Sequence, residues 1–179
     1  MPEAAETKLT LSSVPGNPKD PNTTLELLEH RFTQLIAELT AIVAPVPKEC
    51  LYAASRLHSL TIGECVLKSA AVIEQTFGGV TANLWDDPYE WTLPETLSTP
   101  EKVVAYLREV DKTRERAFAF FDNDSVLLKK ISTPSGDTSA LLDVLLDTLV
   151  RAARYQGQAI AIRDSSSDAA TGGLLSHPH

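Results

Sequence analysis

The chain has 179 residues, 43% of them hydrophobic and 22% charged, with a formal net charge of −8. That length suits one domain with a single sizeable core. The acidic balance, with Lys and Arg scattered along the chain and not grouped into a stripe, argues against nucleic acid and anionic membrane surfaces as partners. No stretch approaches the roughly 20 apolar residues that span a bilayer. The opening residues, Met1 to Lys8, are acidic and polar, unlike a secretory leader, so a cytoplasmic location is expected. Cys50 and Cys65 show no CxxC spacing and lie in or beside apolar segments, as buried free thiols do.

Residues 1–22 are rich in Pro, Thr, Ser and Asn without an apolar period and read as a flexible arm. A first helix is expected from Asn22 or Thr23. Leu25, Leu28, Phe32, Leu35, Leu39 and Ile42 fall on one face of it in steps of three and four. Pro45 and Pro47 stop it. A second helix opens at Thr61 with a capping box, Thr61 to Glu64, in which hydroxyl and carboxylate each satisfy an orphan N–H. It is expected to run to about Phe77 and to end at Gly78-Gly79. The connection from Val80 to Leu97 carries Trp85, Tyr89 and Trp91 and is long enough to require a function or short helical turns of its own.

A third helix begins at Ser98-Thr99-Pro100-Glu101, a cap followed by a first-turn proline, and ends at Asp122-Asn123-Asp124. Its apolar face is Val103, Leu107, Val110, Ala117, Phe118 and Phe121, with Arg114 on the same face. A polar connection through Pro134-Ser135-Gly136 leads to a fourth helix over Ser139 to Arg163, apolar on most sides and therefore expected to be well buried. The Ser- and Gly-rich tail, 164–179, reads as disordered. No strand and no repeat is expected. Residues 23–163 then form an all-α four-helix bundle between two arms.

Two segments carry a resemblance to a known family. TIGECVLKSAA (61–71) and LLDTLVRAARYQGQ (145–158) resemble the two metal-bearing helices of the DinB-like four-helix bundles. That family typically has one His on the second helix, in a phrase of the form S-I-G-E-x-x-x-H. It has two more on the last helix, spaced H-x-x-x-H and followed by R-G-Q. Here the three ligand positions read Lys68, Arg151 and Tyr155, while the phrases Ile62-Gly63-Glu64 and Gln156-Gly157-Gln158 remain. The resemblance runs from the first helix through Arg163. It implies a pocket for a small molecule between the second and last helices; metal-bearing relatives include thiol-dependent transferases and isomerases.

The donor set does not suit the family's metal. Zinc and nickel want neutral imidazoles; Lys68 and Arg151 are cations, and a neutral Tyr155 is a poor ligand. The histidines that do exist, His30, His58, His177 and His179, cannot supply three ligands at helical spacing. No metal and no other cofactor is expected. If Lys68, Arg151 and Tyr155 face one cavity, they suit a carboxylate, enolate or phenolate, with Arg151 as a planar fork and Tyr155 as a donor or proton carrier. They are the candidate catalytic residues, with Glu64, Trp85, Trp91 and Arg114 as candidate substrate contacts.

A structural account of each residue stands beside this one. Glu64–Lys68 and Asp147–Arg151 have the i, i+4 spacing of surface pairs. Arg114 can run its stem along the core and send its head to water. Trp85 and Trp91 can plug one end of the bundle, while Asp86, Asp87 and Glu90 look like solvated loop charge. The expected activity is metal-free proton transfer, isomerisation or cyclisation on a small organic molecule. The alternative is a non-catalytic binding protein or structural dimer. Homodimerisation is expected by analogy with the family and from the surplus apolar surface of the fourth helix.

Overall fold

In the computed structural model, residues 23–54, 58–90 and 94–172 are described, with side chains to Ser165. The expectations for the arm 1–22, for Trp91, and for His177 and His179 lie outside the described residues. The chain is mostly helical: α1 (Thr23–Val43), the short α2 (Lys48–Leu51), α3 (Ile62–Ala82), α4 (Pro100–Ala119) and α5 (Leu141–Gly172), with 3-10 turns at Pro88–Glu90 and Asp124–Leu128. The four long helices contribute to one hydrophobic core.

Helix α3 packs against α1, α2, α4 and α5. It is buried on most of its circumference, from Ile62 and Cys65 to Phe77 and Gly79. Burial of this kind was expected of the last helix. Instead α5 buries one stripe, Leu141, Leu145, Thr148, Ala152, Gln156, Ala159 and Ile162, and leaves Leu146 and Val150 exposed. Phe32, Phe77 and Phe118 join α1, α3 and α4, with ring centroids 5.0 to 6.1 Å apart in edge-on and tilted contacts; each such pair is worth about 0.5–1.5 kcal/mol beyond its area.

The seam between α3 and α5 is antiparallel and built on small residues. The Ser69 hydroxyl donates to the Ala152 carbonyl at 2.9 Å, which requires close backbone approach. Thr76 and Thr148 share a buried hydroxyl contact at 2.8 Å, and Thr148 donates onward to the Val144 carbonyl. The polar groups on the buried side of α3 therefore have partners, as burial demands. On α4, the Tyr106 hydroxyl donates to Glu74 of α3. Burial first, and then that bond, hold the Tyr106 phenol far above its ordinary range.

The helix starts follow their sequence signals. Thr61 and Glu64 form the reciprocal capping box, and Thr99 accepts from the Lys102 N–H ahead of Pro100. Several ends do not. Helix α3 continues through Gly78-Gly79 and stops at Asn83, whose φ of 55° is left-handed. The reason is packing: a Cβ on Gly79 would stand 2.3 Å from the Trp85 ring, so this glycine admits an indole instead of ending a helix. Helix α4 stops at Ala119, short of Asp122. Asp124 then caps α1 from a distance, accepting from the N–H groups of Thr24 and Leu25 at 3.0 and 3.1 Å.

The polar connection after α4 holds a two-stranded antiparallel hairpin, β1 (Lys130–Ser132) and β2 (Thr138–Ala140), whose turn uses Gly136 at φ 84°. No strand was expected there because three-residue strands leave no alternating pattern to read. Helix α5 runs past Arg163 to Gly172, into the segment read as a disordered tail. Cys65 is buried, and burial pushes its thiol up to about 11; Cys50 is exposed, contrary to expectation, because α2 turns it outward.

Gly63, in the retained Ile62-Gly63-Glu64 phrase, has a specific cause. A Cβ there would lie 2.3 Å from the Tyr52 ring. Tyr52 is anchored by its hydroxyl, which donates to the Leu97 carbonyl at 2.6 Å. Gly63→Ala is therefore expected to lower unfolding stability by about 1–3 kcal/mol, as overpacking does. Urea denaturation checks this, and an unchanged midpoint would show that the Tyr52 ring swings clear at no cost.

Candidate functional site

Lys68, Ala71, Val72 and Gln75 lie on one face of α3 at helical spacing, and Arg151 and Tyr155 lie one turn apart on α5. Together with Asp87 and Tyr89 they line a cavity of about 60 Å³ at the edge of the α3–α5 seam. The three residues singled out as catalytic candidates thus share one small volume. It holds about two waters, or one carboxylate head group.

The 83–90 segment roofs the cavity. Asn83 reverses the chain, and the Trp85 ring lies on Gly79 with its Nε1–H donating to Asn83 Oδ1 at 3.3 Å. The Gln75 amide donates to the Trp85 carbonyl at 2.8 Å. Tyr89 then places its ring under the Lys68 ammonium, 3.9 Å from the centroid. A contact of this kind is worth about 0.5–2 kcal/mol, depending on desolvation. Burial raises the Tyr89 phenol above its ordinary pKa, with Glu64, Cys65, Tyr155 and Asp87 adding to it, so the ring carries its proton at neutral pH.

Lys68 has no carboxylate within ion-pair distance among the described residues. It is half-buried, its ammonium lies over the face of Tyr89, and Asp87 lines the same cavity. Arg151 is half-exposed, at 49%, and stands 3.8 Å from Asp147. Gln75 and Arg151 also line a second cavity of about 360 Å³, walled by Trp85, Thr148, Asp143 and Asp147 and by Ser135 in the hairpin turn. The large cavity falls within the roughly 300–1,000 Å³ range of small-molecule sites; the small one does not.

The other candidates go elsewhere. Glu64 is half-buried, and one carboxylate oxygen accepts from both the Thr61 N–H and the Thr61 hydroxyl at 2.8 Å. That oxygen is committed to the cap, and Glu64 does not line either cavity. Trp85 lines the larger cavity. Trp91 lies outside the described residues. Arg114 is only 3% exposed, and its head is buried, not sent to solvent. It donates to Asp111 and to Glu29 of α1, at 2.8 to 2.9 Å, and to Glu115 at 3.5 Å. Three carboxylates hold it, so it ties α4 to α1, and it lines neither cavity.

Gln75, Asp87 and Tyr89 were missed as lining residues. The signal for Gln75 was available, because it lies seven residues after Lys68 on the same helical face. Asp87 and Tyr89 reach the site only through the path of the 83–90 segment, which no periodicity encodes.

Among the described residues, no group of three or more His, Cys, Asp and Glu could hold a metal ion. Two cations and a phenol do not suit the metal of the resembled family. Compared with known proteins, the chain matches no family model and no curated protein sequence.

Removing the Arg114 head group strips charge-assisted bonds of about 1.5–3 kcal/mol each, offset by rehydration of its partly exposed partners. Arg114→Met, which keeps the apolar stem, is expected to cost about 1–3 kcal/mol in total. An unchanged denaturant midpoint would remove the α1–α4 tie from the account.

Proposed function

We propose that this chain is a DinB-like four-helix bundle of the cytoplasm that binds a small organic anion at the α3–α5 seam and acts on it without a metal. The observation that carries the reading is Lys68. It is a half-buried ammonium with no ion-pair partner among the described residues, at the same cavity as Arg151 and Tyr155. The small cavity takes the anionic head of the ligand, and the larger one, beside Trp85, takes its body. The reactions that suit two cations and a phenol are those passing through an enolate or phenolate: proton transfer, isomerisation or cyclisation. Lys68 and Arg151 stabilise the developing oxyanion, and Tyr155 donates or relays the proton.

The test compares benzoate and 4-hydroxybenzoate with neutral benzamide by calorimetry. The anions are expected to bind more tightly. Lys68→Met is expected to leave the fold intact, with stability held or raised because relief of a half-buried charge offsets the lost contact with the Tyr89 ring. The same change should weaken anion binding by about tenfold or more, from the loss of a charge-assisted bond of about 1.5–3 kcal/mol. Equal affinity for benzamide, or no effect of Lys68→Met, would defeat the reading.

A second reading, a binding bundle without catalysis, draws on one observation: Arg151 is half-exposed and already faces Asp147. Tyr155→Phe separates the two once a substrate is in hand. A catalytic phenol lowers kcat more than it raises KM, whereas an orienting phenol changes binding alone.

We also propose that the protein pairs with a second copy of itself through the outer face of α5. Leu146 and Val150, one turn apart, are 45% and 57% exposed on that helix, and Leu27 of α1 is 60% exposed. Light scattering at micromolar concentration should give twice the chain mass, and Val150→Glu should return the monomer. A monomer that persists in the unchanged chain at high concentration would refute the pairing.

A further inference from the structure

A third cavity, of about 320 Å³, lies at the end of the fold away from Lys68, between the C-terminal end of α3 and the segment joining α4 to α5. Its walls are apolar: Phe120, Phe121, Val126, Ile131 and Leu141, with Lys129 at the rim. Phe120 and Leu128, at and beside this groove, are each 73% exposed. These are the most exposed of the large hydrophobic side chains among the described residues. Lys129 and Lys130 have no ion pair among the described residues. A mostly apolar groove with Lys129 at its edge and Lys130 next in the chain is the kind of exposed surface that marks an interaction site.

The start of α1 is tied to the same place. Asp124 accepts from Thr24 and Leu25, and it opens the Asp124–Leu128 turn that supplies Val126 to the groove wall. The start of α1 at Thr23, where the described residues begin, therefore lies beside the groove. The chain preceding Thr23 carries Leu9, Leu11 and Val14, with Glu3 and Glu6 just before them. The dozen or so residues between Leu11 and Thr23 reach about 40 Å when extended. The groove's volume, about ten times that of a water at roughly 30 Å³, accommodates two or three aliphatic side chains.

We propose that the protein's own N-terminal segment docks in this groove, with Leu9, Leu11 and Val14 against Phe120, Val126 and Ile131, and Glu3 or Glu6 toward Lys129 and Lys130. A tethered segment has an effective concentration on the order of millimolar. It therefore outcompetes a second copy of the chain at micromolar concentration, even when the individual contacts are weak. This makes residues 1–22 a functional part of the fold and not the dispensable arm that their composition suggests.

The test uses the full chain, the double variant Leu9→Ser/Leu11→Ser, the single variant Phe120→Ser, and all three changes combined. Phe120 is exposed, so its replacement leaves the core intact. The leucine variant is expected to lower Tm by about 4 °C and to raise the fluorescence of the hydrophobic dye ANS at least about threefold, as the groove opens. With Phe120→Ser already present, the same leucine changes should shift Tm by less than half as much, the signature of direct coupling. Three results would overturn the proposal: unchanged Tm and dye binding in the leucine variant, full additivity of the two sets of changes, or a chain that is dimeric until Phe120→Ser makes it monomeric. The last would assign the groove to a second copy.

Discussion

The close seam between α3 and α5 is the constraint on which the rest of the structure depends. Ser69 reaches the Ala152 carbonyl, and Thr76 reaches Thr148, only because the side chains between the two helices are small. That closeness sinks α3 into the middle of the core, touching every other long helix. A helix so placed has little circumference left for charge. Lys68, Glu74 and Gln75 fall on what remains, and each is met: Lys68 by the Tyr89 ring, Glu74 by Tyr106, Gln75 by the Trp85 carbonyl. The candidate site lies along this half-buried strip of α3, where charge can still be accommodated.

The 83–90 segment follows from the same constraint. Once α3 is central, the chain leaving it must cross back over the seam, and it does so by a left-handed Asn83 and a Trp85 ring laid on Gly79. The indole fixes the path at one end, and the Tyr89 ring beneath the Lys68 ammonium fixes it at the other. The segment holds Gln75 and Lys68 in place while making few backbone hydrogen bonds of its own. Such segments are drawn from the less stable parts of a fold.

The sequence was most legible where a signal is local. Thr61 and Glu64, Thr99 and Pro100, and the apolar steps of α1 and α4 depend only on neighbours within a turn or two, and each predicted its helix. Legibility failed where the cause lies far along the chain. Gly79 reads as a helix stop but serves Trp85; Asp124 reads as the end of one helix but caps another about a hundred residues earlier. Arg114 was correctly placed on the core face, yet its partner Glu29 is on α1, and no spacing rule links the two. For the site, the resemblance to the DinB-like ligand positions pointed Lys68, Arg151 and Tyr155 toward a shared volume. It could not supply Tyr89 or Asp87, which arrive by way of a loop.

The proposed anion site at the seam rests on how weakly its two cations are already engaged. The Arg151–Asp147 contact is long, at 3.8 Å, and both groups are about half exposed or more. Pairs of this kind are worth about 0–1 kcal/mol, so Arg151 can turn to a ligand carboxylate at small cost, and a bidentate bond there exceeds what is given up. Lys68 needs no such exchange: it is held at the cavity by an aromatic face, which orients a cation without neutralising it. The overall charge of −8 acts the other way, repelling anions at long range. Association should therefore be slowed at low ionic strength and quickened as salt screens the acidic surface over a Debye length of about 10 Å at 0.1 M. The half-buried Lys68 is screened less than that surface, and the half-exposed Arg151 lies between the two. Rate and affinity at this site consequently respond to salt through different groups: the rate through the dispersed acidic surface, and the affinity through Lys68 and Arg151.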